Sequence, residues 1–206
     1  MNLLAYDTSG IQLSAAIFKN GKKIAELRSE AGVRHSNILM PMIEQLLKKS
    51  RLDASQIDVL AVGLGPGSFT GLRVGIATAK ILGYVLKKGI VGISSLEAMA
   101  TGPLAKGESR VASMLDARRG QVYGAVYEKK GGKTRTVSAP ALLTREKFMT
   151  LAQDAKVVTG EEAPPSASDI AHAALPLAAA GRFMDPFKLE PLYLRARDCN
   201  VTVSKK

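Results

Sequence analysis

The chain has 206 residues and a mass of 21.8 kDa. Its 46% apolar and 23% charged content suits one large domain or two small lobes around a real core, and is too apolar for a disordered chain. One cysteine, Cys199, and two histidines, His35 and His172, exclude a disulfide framework, a multi-cysteine cluster and a three-histidine metal centre. The net charge of +11 attracts polyanions such as RNA without specifying one, and serves solubility equally well.

In chain order, residues 3–7 form an apolar strand that ends in the turn Asp7-Thr8-Ser9-Gly10. A strand over 12–18 meets one over 23–30 across Asn20-Gly21, a hairpin signal. Ile38, Leu39, Met42, Ile43, Leu46 and Leu47 recur at helical spacing and predict a helix over 36–50, starting late or bending at Pro41. A buried strand over 59–64 then runs into Gly65-Pro66-Gly67-Ser68, with Thr70 capping a long helix to Lys87. A strand over 90–93 leads to Ser94-x-x-Glu97, the spacing of a capping box.

The second half repeats this grammar: a strand over 111–115, the turn Asp116-Ala117-Arg118-Arg119-Gly120, a strand over 121–128, and a turn at Gly131-Gly132 into 134–138. Thr144 caps a helix to Ala152, a strand covers 156–159, and Ser168 or Asp169 opens a last helix that Pro176 interrupts. Two α/β lobes with mixed sheets follow, at 1–103 and 104–206. The charge is uneven between them. Residues 1–103 hold 12 Lys/Arg against 7 Asp/Glu, 104–147 hold 10 against 4, and 148–206 hold 7 against 7.

The glycine loop at 63–71 sits between a strand and a helix start. Gly65, Gly67 and Ser68 could cradle an anion there, or simply make a tight turn. Asp7, Thr8 and Ser9, with the equivalent turn at 116–120, could grip phosphates and a hydrated magnesium ion, or only close their turns. Gly71, Gly75, Ala79 and Gly83 fall at four-residue steps, leaving a flat helical strip beside Arg73, Lys80 and Tyr84. Glycine inside a helix costs about 1 kcal/mol relative to alanine, so the strip needs a close neighbour, either the lobe's own sheet or a second chain. The start of the chain, Met1 to Asp7, has no basic leader. The best apolar stretch, 76–86, is interrupted by Lys80 and falls short of the ~20 residues of a membrane span. A soluble, cytoplasmic protein without a membrane partner is expected.

The run Gly65-Pro66-Gly67-Ser68-Phe69-Thr70-Gly71-Leu72-Arg73-Val74-Gly75 with Ala79-Lys80 resembles the signature of the TsaB, or YeaZ, family. Asp7-Thr8-Ser9, His35-Ser36, Ser94-Ser95-Leu96-Glu97-Ala98, Asp116 to Tyr123 and Pro191-Leu192-Tyr193-Leu194-Arg195 extend the likeness over nearly the whole chain. The resemblance implies two ribonuclease-H-like lobes of the sugar-kinase/actin class. It also implies a role in making N6-threonylcarbamoyladenosine beside the anticodon of tRNAs that read codons beginning with A.

In such a system a TsaD-type transferase with a bound metal performs the transfer, a TsaE-type ATPase joins, and the chain resembled is their non-catalytic partner. ATP and magnesium are then used by the complex, and no cofactor is held tightly by this chain. The paralogous transferase carries a His-x3-His pair where this sequence has Ser94-Ser95-Leu96-Glu97-Ala98-Met99. No metal site is expected, and the older glycoprotease label finds no nucleophile–base pair. The resemblance also implies pairing, with the paralogue or with itself, through two helices. Ile38, Met42, Ile43, Leu46, Arg73, Gly75, Ala79, Lys80, Gly83 and Tyr84 are the candidate interface. Asp7, Thr8, Ser9, Gly65, Gly67 and Ser68 remain candidates for nucleotide or anion contact, and Arg118, Arg119, Lys130 and Lys133 for tRNA contact. A stand-alone nucleotide-hydrolysing enzyme of the sugar-kinase class and a general RNA-binding protein are the competing readings.

Overall fold

Strand side chains alternate between the two faces of a sheet, and the first strand, β1 (Asn2–Asp7), buries both. Leu4 and Tyr6 enter one apolar layer, and Leu3 and Ala5 enter another. That is why this strand reads as a continuous apolar run. The computed structural model describes residues 1–30 and 35–195; the reading of Cys199 lies outside them, as does the side chain of His35. β1 is followed by β2 (Gln12–Lys19), β3 (Lys22–Glu30), α1 (His35–Ser50), β4 (Val59–Gly63), α2 (Phe69–Leu86), β5 (Gly89–Ile93) and α3 (Ser95–Ala105). The second half contains β6 (Arg110–Asp116), β7 (Gln121–Lys130), β8 (Lys133–Thr144), α4 (Arg145–Leu151), β9 (Lys156–Thr159) and α5 (Ala167–Ala179).

The expected pair of mixed sheets is present, with strand orders β3-β2-β1-β4-β5 and β8-β7-β6-β9. β1 pairs antiparallel with β2 and parallel with β4. β6 repeats this arrangement with β7 and β9. On one face of the first sheet, α1 and α2 pack through Leu39, Met42, Ile43, Leu46, Ile76 and Ala79. On one face of the second sheet, α4 packs through Phe148.

The remaining two helices do not respect the expected boundary at 103/104. Helix α5, from the second half, covers the other face of the first sheet with Ala167, Ile170, Ala171, Ala174 and Ala178. Helix α3, from the first half, covers the second sheet with Leu96, Met99, Ala100 and Leu104. The two helices also pack on each other, so the halves exchange a helix across a shared middle layer. The segment after α5 stays with the first lobe: Met184 N–H donates to Ile90 O at 2.8 Å, Leu192 N–H to Leu64 O at 2.8 Å, and Leu189 is buried in the α1/α2 core.

Several local expectations change. The N-cap of α2 is Ser68, whose Oγ accepts from Gly71 N–H at 3.2 Å, not Thr70. The Ser94/Glu97 capping box does not form, because Ser94 Oγ donates to Gly65 O at 3.4 Å. Helix α1 begins before Pro41 and runs through it. Helix α5 opens two or three residues earlier than read, with Ser166 as cap, and continues past Pro176. β8 extends to Thr144 through Pro140, which an edge strand tolerates since one side of its ladder needs no donor.

Candidate functional site

The Asp7–Ser9 turn is where an anion was expected, and the chain's own atoms fill it. Asp7 and Thr8 are fully buried and Ser9 nearly so. The Asp7 carboxylate accepts from Ser9 N–H (2.8 Å) and Ser9 Oγ (2.6 Å) on one oxygen, and from Ser95 Oγ (2.7 Å) on the other. Ser68 N–H at the end of the glycine loop donates to Ser9 O at 2.6 Å. A Cβ added at Gly63 would overlap Asp7, at Gly67 Ser9 O, at Gly71 Thr8 O, and at Gly75 Thr8 Oγ1. The glycines therefore bring the loop and α2 down onto the β1 turn and close it. Asp7, Thr8, Ser9, Gly65, Gly67 and Ser68 form this closed knot, the arrangement of the tight-turn alternative, rather than an open cradle. Thr8 Oγ1 is left buried without a hydrogen-bond partner beneath Gly75. Tyr6 OH donates to Gly75 O at 3.1 Å, and burial lifts its pKa far above the ordinary phenol range.

The same packing turns most of the candidate interface side chains inward. Met42, Ile43 and Leu46 are core residues, and Ile38 is partly buried against them. Gly75 faces Thr8, Gly83 faces Ile90, and Ala79 is fully buried. The flat strip thus serves the lobe's own sheet. Of the ten candidate interface residues, only Arg73 and Tyr84 are exposed, with Lys80 half-buried. The outward side of α2 carries Ile81, Tyr84 and Val85, 62%, 67% and 66% exposed, and Met40 of α1 is also exposed. Tyr84 meets Phe187, 76% exposed, edge-on at 5.8 Å. Between the two helices lies an apolar cleft of about 220 Å³, lined by Met40, Leu47, Leu82 and Leu86 among others. Sequence reading missed Met40, Ile81, Val85 and Phe187. The available signal was that the C-terminal turns of α2, Ile81 to Leu86, carry no charged side chain, which a helix with only one covered face does not need. By length and mean hydropathy (1.3) α2 would also suit a membrane span, but its glycine face is taken up by protein.

At the first turn of α2, the Arg73 guanidinium lies 3.9 Å over the Phe69 ring and its Nε donates to Tyr193 OH at 3.4 Å. Phe69 and Tyr193 pack ring to ring at 5.4 Å. Two residues on, Arg195 Nη2 donates to Ala117 O (2.7 Å) and to Gln121 Oε1 (3.1 Å). The chain segment after α5 thus ties the first lobe to the 116–120 turn of the second.

The candidate tRNA residues separate into two places. Arg118 and Arg119 are exposed at the β6–β7 turn, and Lys130 and Lys133 at the β7–β8 turn. These lie at opposite ends of a 10-residue strand, roughly 30 Å apart at ~3.4 Å per residue. Among the described residues no three His, Cys, Asp or Glu side chains converge as a metal set. Glu97, on α3 near the buried Tyr127, has its pKa raised by burial.

A family model described as TsaD, tRNA N6-adenosine threonylcarbamoyltransferase, matches residues 28–185. The tRNA threonylcarbamoyladenosine biosynthesis protein TsaB of Escherichia coli is 30% identical to this chain over 95% of each. Its Bacillus subtilis namesake is 36% identical over 64% of this chain and 57% of its own length. The structure of YeaZ from Pseudomonas aeruginosa superposes with a TM-score of 0.83 at 26% identity, covering 94% of this chain and 99% of that one.

Proposed function

The chain belongs to the TsaB (YeaZ) family of tRNA threonylcarbamoyladenosine biosynthesis proteins, and from that membership we propose that it is the non-catalytic partner of a TsaD-type transferase. The match to a TsaD family model over most of the chain fits two paralogues sharing one architecture. The observation that carries the non-catalytic reading is the closed turn at Asp7. A group that is to hold a phosphate or move a proton must present free donors or acceptors to the substrate. Here all three donors to the carboxylate are the protein's own, and the glycine loop occupies the space above them.

What the chain offers a partner is the apolar outward side of α2. Ile81, Tyr84 and Val85 with Met40 and Phe187 make a patch of the kind that marks protein–protein contact. A second copy and a TsaD-type protein would compete for it. A TsaE-type ATPase, with ATP and magnesium, completes the complex in this reading, tRNA is its substrate, and the cytoplasm is its compartment.

Reconstitution tests the reading directly. Threonylcarbamoyl transfer to unmodified tRNA is measured with the TsaD-type and TsaE-type proteins, with and without this chain, and with this chain alone. Transfer should require this chain and never proceed from it alone. Steady ATP turnover by the isolated chain would favour a stand-alone nucleotide hydrolase instead.

A further inference from the structure

The turn at 116–120 adopts a conformation that its residues disfavour. Arg118, Arg119 and Gly120 have successive φ angles of 62°, 56° and 71°. Glycine enters this left-handed region freely, whereas a side chain with a Cβ does not. Two arginines in a row there are retained against their preference, and such departures concentrate at functional positions.

The turn is also held from several sides. Asp116 Oδ1 accepts from Arg118 N–H at 2.8 Å, Gln121 N–H donates to Arg118 O at 3.1 Å, and Ala117 N–H to Gln121 O at 3.0 Å. Arg195 then grips Ala117 O and Gln121 Oε1 across 78 and 74 residues of sequence. Within this rigid frame the Arg118 and Arg119 side chains are exposed, and among the described residues neither guanidinium has a salt bridge or hydrogen bond. The exposed Arg145 comes to the same end of the sheet, since it follows Thr144, which lies opposite Gln121. The carboxylates that chain order and register bring to this end are Asp116, already accepting from the turn backbone, Glu146 of α4, and the exposed Glu161 and Glu162, which follow β9 where Thr159 pairs with Met114.

We propose that Arg118 and Arg119 contact the phosphate backbone of the tRNA, and that Arg195 is the positioning residue for their turn. The inference rests on the tRNA-modifying role argued above. Guanidinium groups match phosphate oxygens with paired donors, and contacts of this kind orient an RNA without reading its bases. The lysine hairpin at the far end of β7 has a simpler account. Lys133 begins an edge strand, where lysine discourages pairing with foreign strands. Lys129 caps α3 by donating to Leu104 O at 3.2 Å, and Glu128 stands between Arg110 and Arg135 in register.

Binding of unmodified tRNA to the complex of this chain with its TsaD-type partner is followed by fluorescence anisotropy across a salt series. The double variant Arg118→Gly/Arg119→Gly removes the charges and relieves the left-handed arginines, so its melting temperature should hold or rise. Its affinity should fall about tenfold at low salt, and the slope of log K against log salt should flatten by about one to two. Arg195→Gln should weaken binding in the native background and add nothing further in the double variant, which a purely structural role would not produce. Unchanged affinity and slope in the double variant overturn the proposal, as does a loss confined to Lys130→Glu/Lys133→Glu. Binding is read independently of turnover. Failure of the broader reading would show instead as modification proceeding without this chain.

Discussion

At the residue scale, Gly75 carries the sharpest consequence. A side chain there would overlap Thr8 Oγ1, with Ala79 and Tyr6 packed around the same site and no slack to absorb it. Gly75→Val should therefore lower stability by about 1–3 kcal/mol or more, as overpacked cores do, read as a clear drop in melting temperature of the isolated chain. Normal melting with lost partner binding would place the glycine strip on the outside after all. Glu97 offers a pH test. Burial raises its carboxyl above the ordinary value, so the folded state binds the proton more tightly than the unfolded chain does. Below the ordinary carboxylate range, about 4.3, the group is neutral in both states and carries no penalty. As pH rises through the raised folded value, it must ionise while partly buried, and stability falls. Glu97→Gln should thus be more stable than the native chain at pH 7, with the gap closing near pH 4. A gap that stays constant across that range would show that burial of the charge is not what Glu97 costs.

At the scale of elements, α2 shows what a sequence can and cannot convey. The four-residue spacing of Gly71, Gly75, Ala79 and Gly83 signals a close approach, but periodicity does not say whether the neighbour belongs to the same chain. The β1 turn supplies the answer only once folded. The other face was legible in principle, since Ile81, Tyr84 and Val85 leave α2 with no polar side at its C-terminal end. If that face is the docking surface, Ile81→Asp with Val85→Asp should abolish co-elution with a TsaD-type partner. The melting temperature of the isolated chain should barely move, because exposed substitutions typically shift stability within about 0.5 kcal/mol. Retained co-elution would send the interface elsewhere. Strand and helix order were readable from alternation, helical spacing and turn residues. Caps were not: Ser68 and Ser166 displaced the candidates at Thr70 and Ser168, because neighbouring hydroxyls compete for one helix start and tertiary packing decides between them. Pro41 and Pro176 misled in the same way, since helices anchored by Leu39, Leu46, Ala174 and Ala178 in the core tolerate a missing donor.

For the whole molecule, the duplicated order of elements correctly announced two sheets, and the division at 103/104 separates their strands but not their covering helices, because chain order does not reveal which sheet a helix covers. Helices α3 and α5 are both rich in small apolar residues, and either could cover either sheet by composition alone. Their exchange makes each lobe incomplete without the other half of the chain. The face of the first sheet carrying Leu3, Ala5, Phe18, Ala61, Val91 and Ile93 is covered by α5, and the strap to Arg195 donates hydrogen bonds to the carbonyls of Ile90, Leu64 and Ala117. A fragment of residues 1–103 would expose that apolar face to water, and a fragment of 104–206 would expose the face now under Leu96, Met99 and Ala100. Neither should fold alone, and mixing the two should restore native-like dichroism. The intact chain should melt in one cooperative transition, with calorimetric and van't Hoff enthalpies equal, since neither sheet can keep its core after the shared helix layer opens. Two resolved transitions, or a folded 1–103 fragment, would show that the lobes are separate units and that the helix exchange contributes little to holding them together.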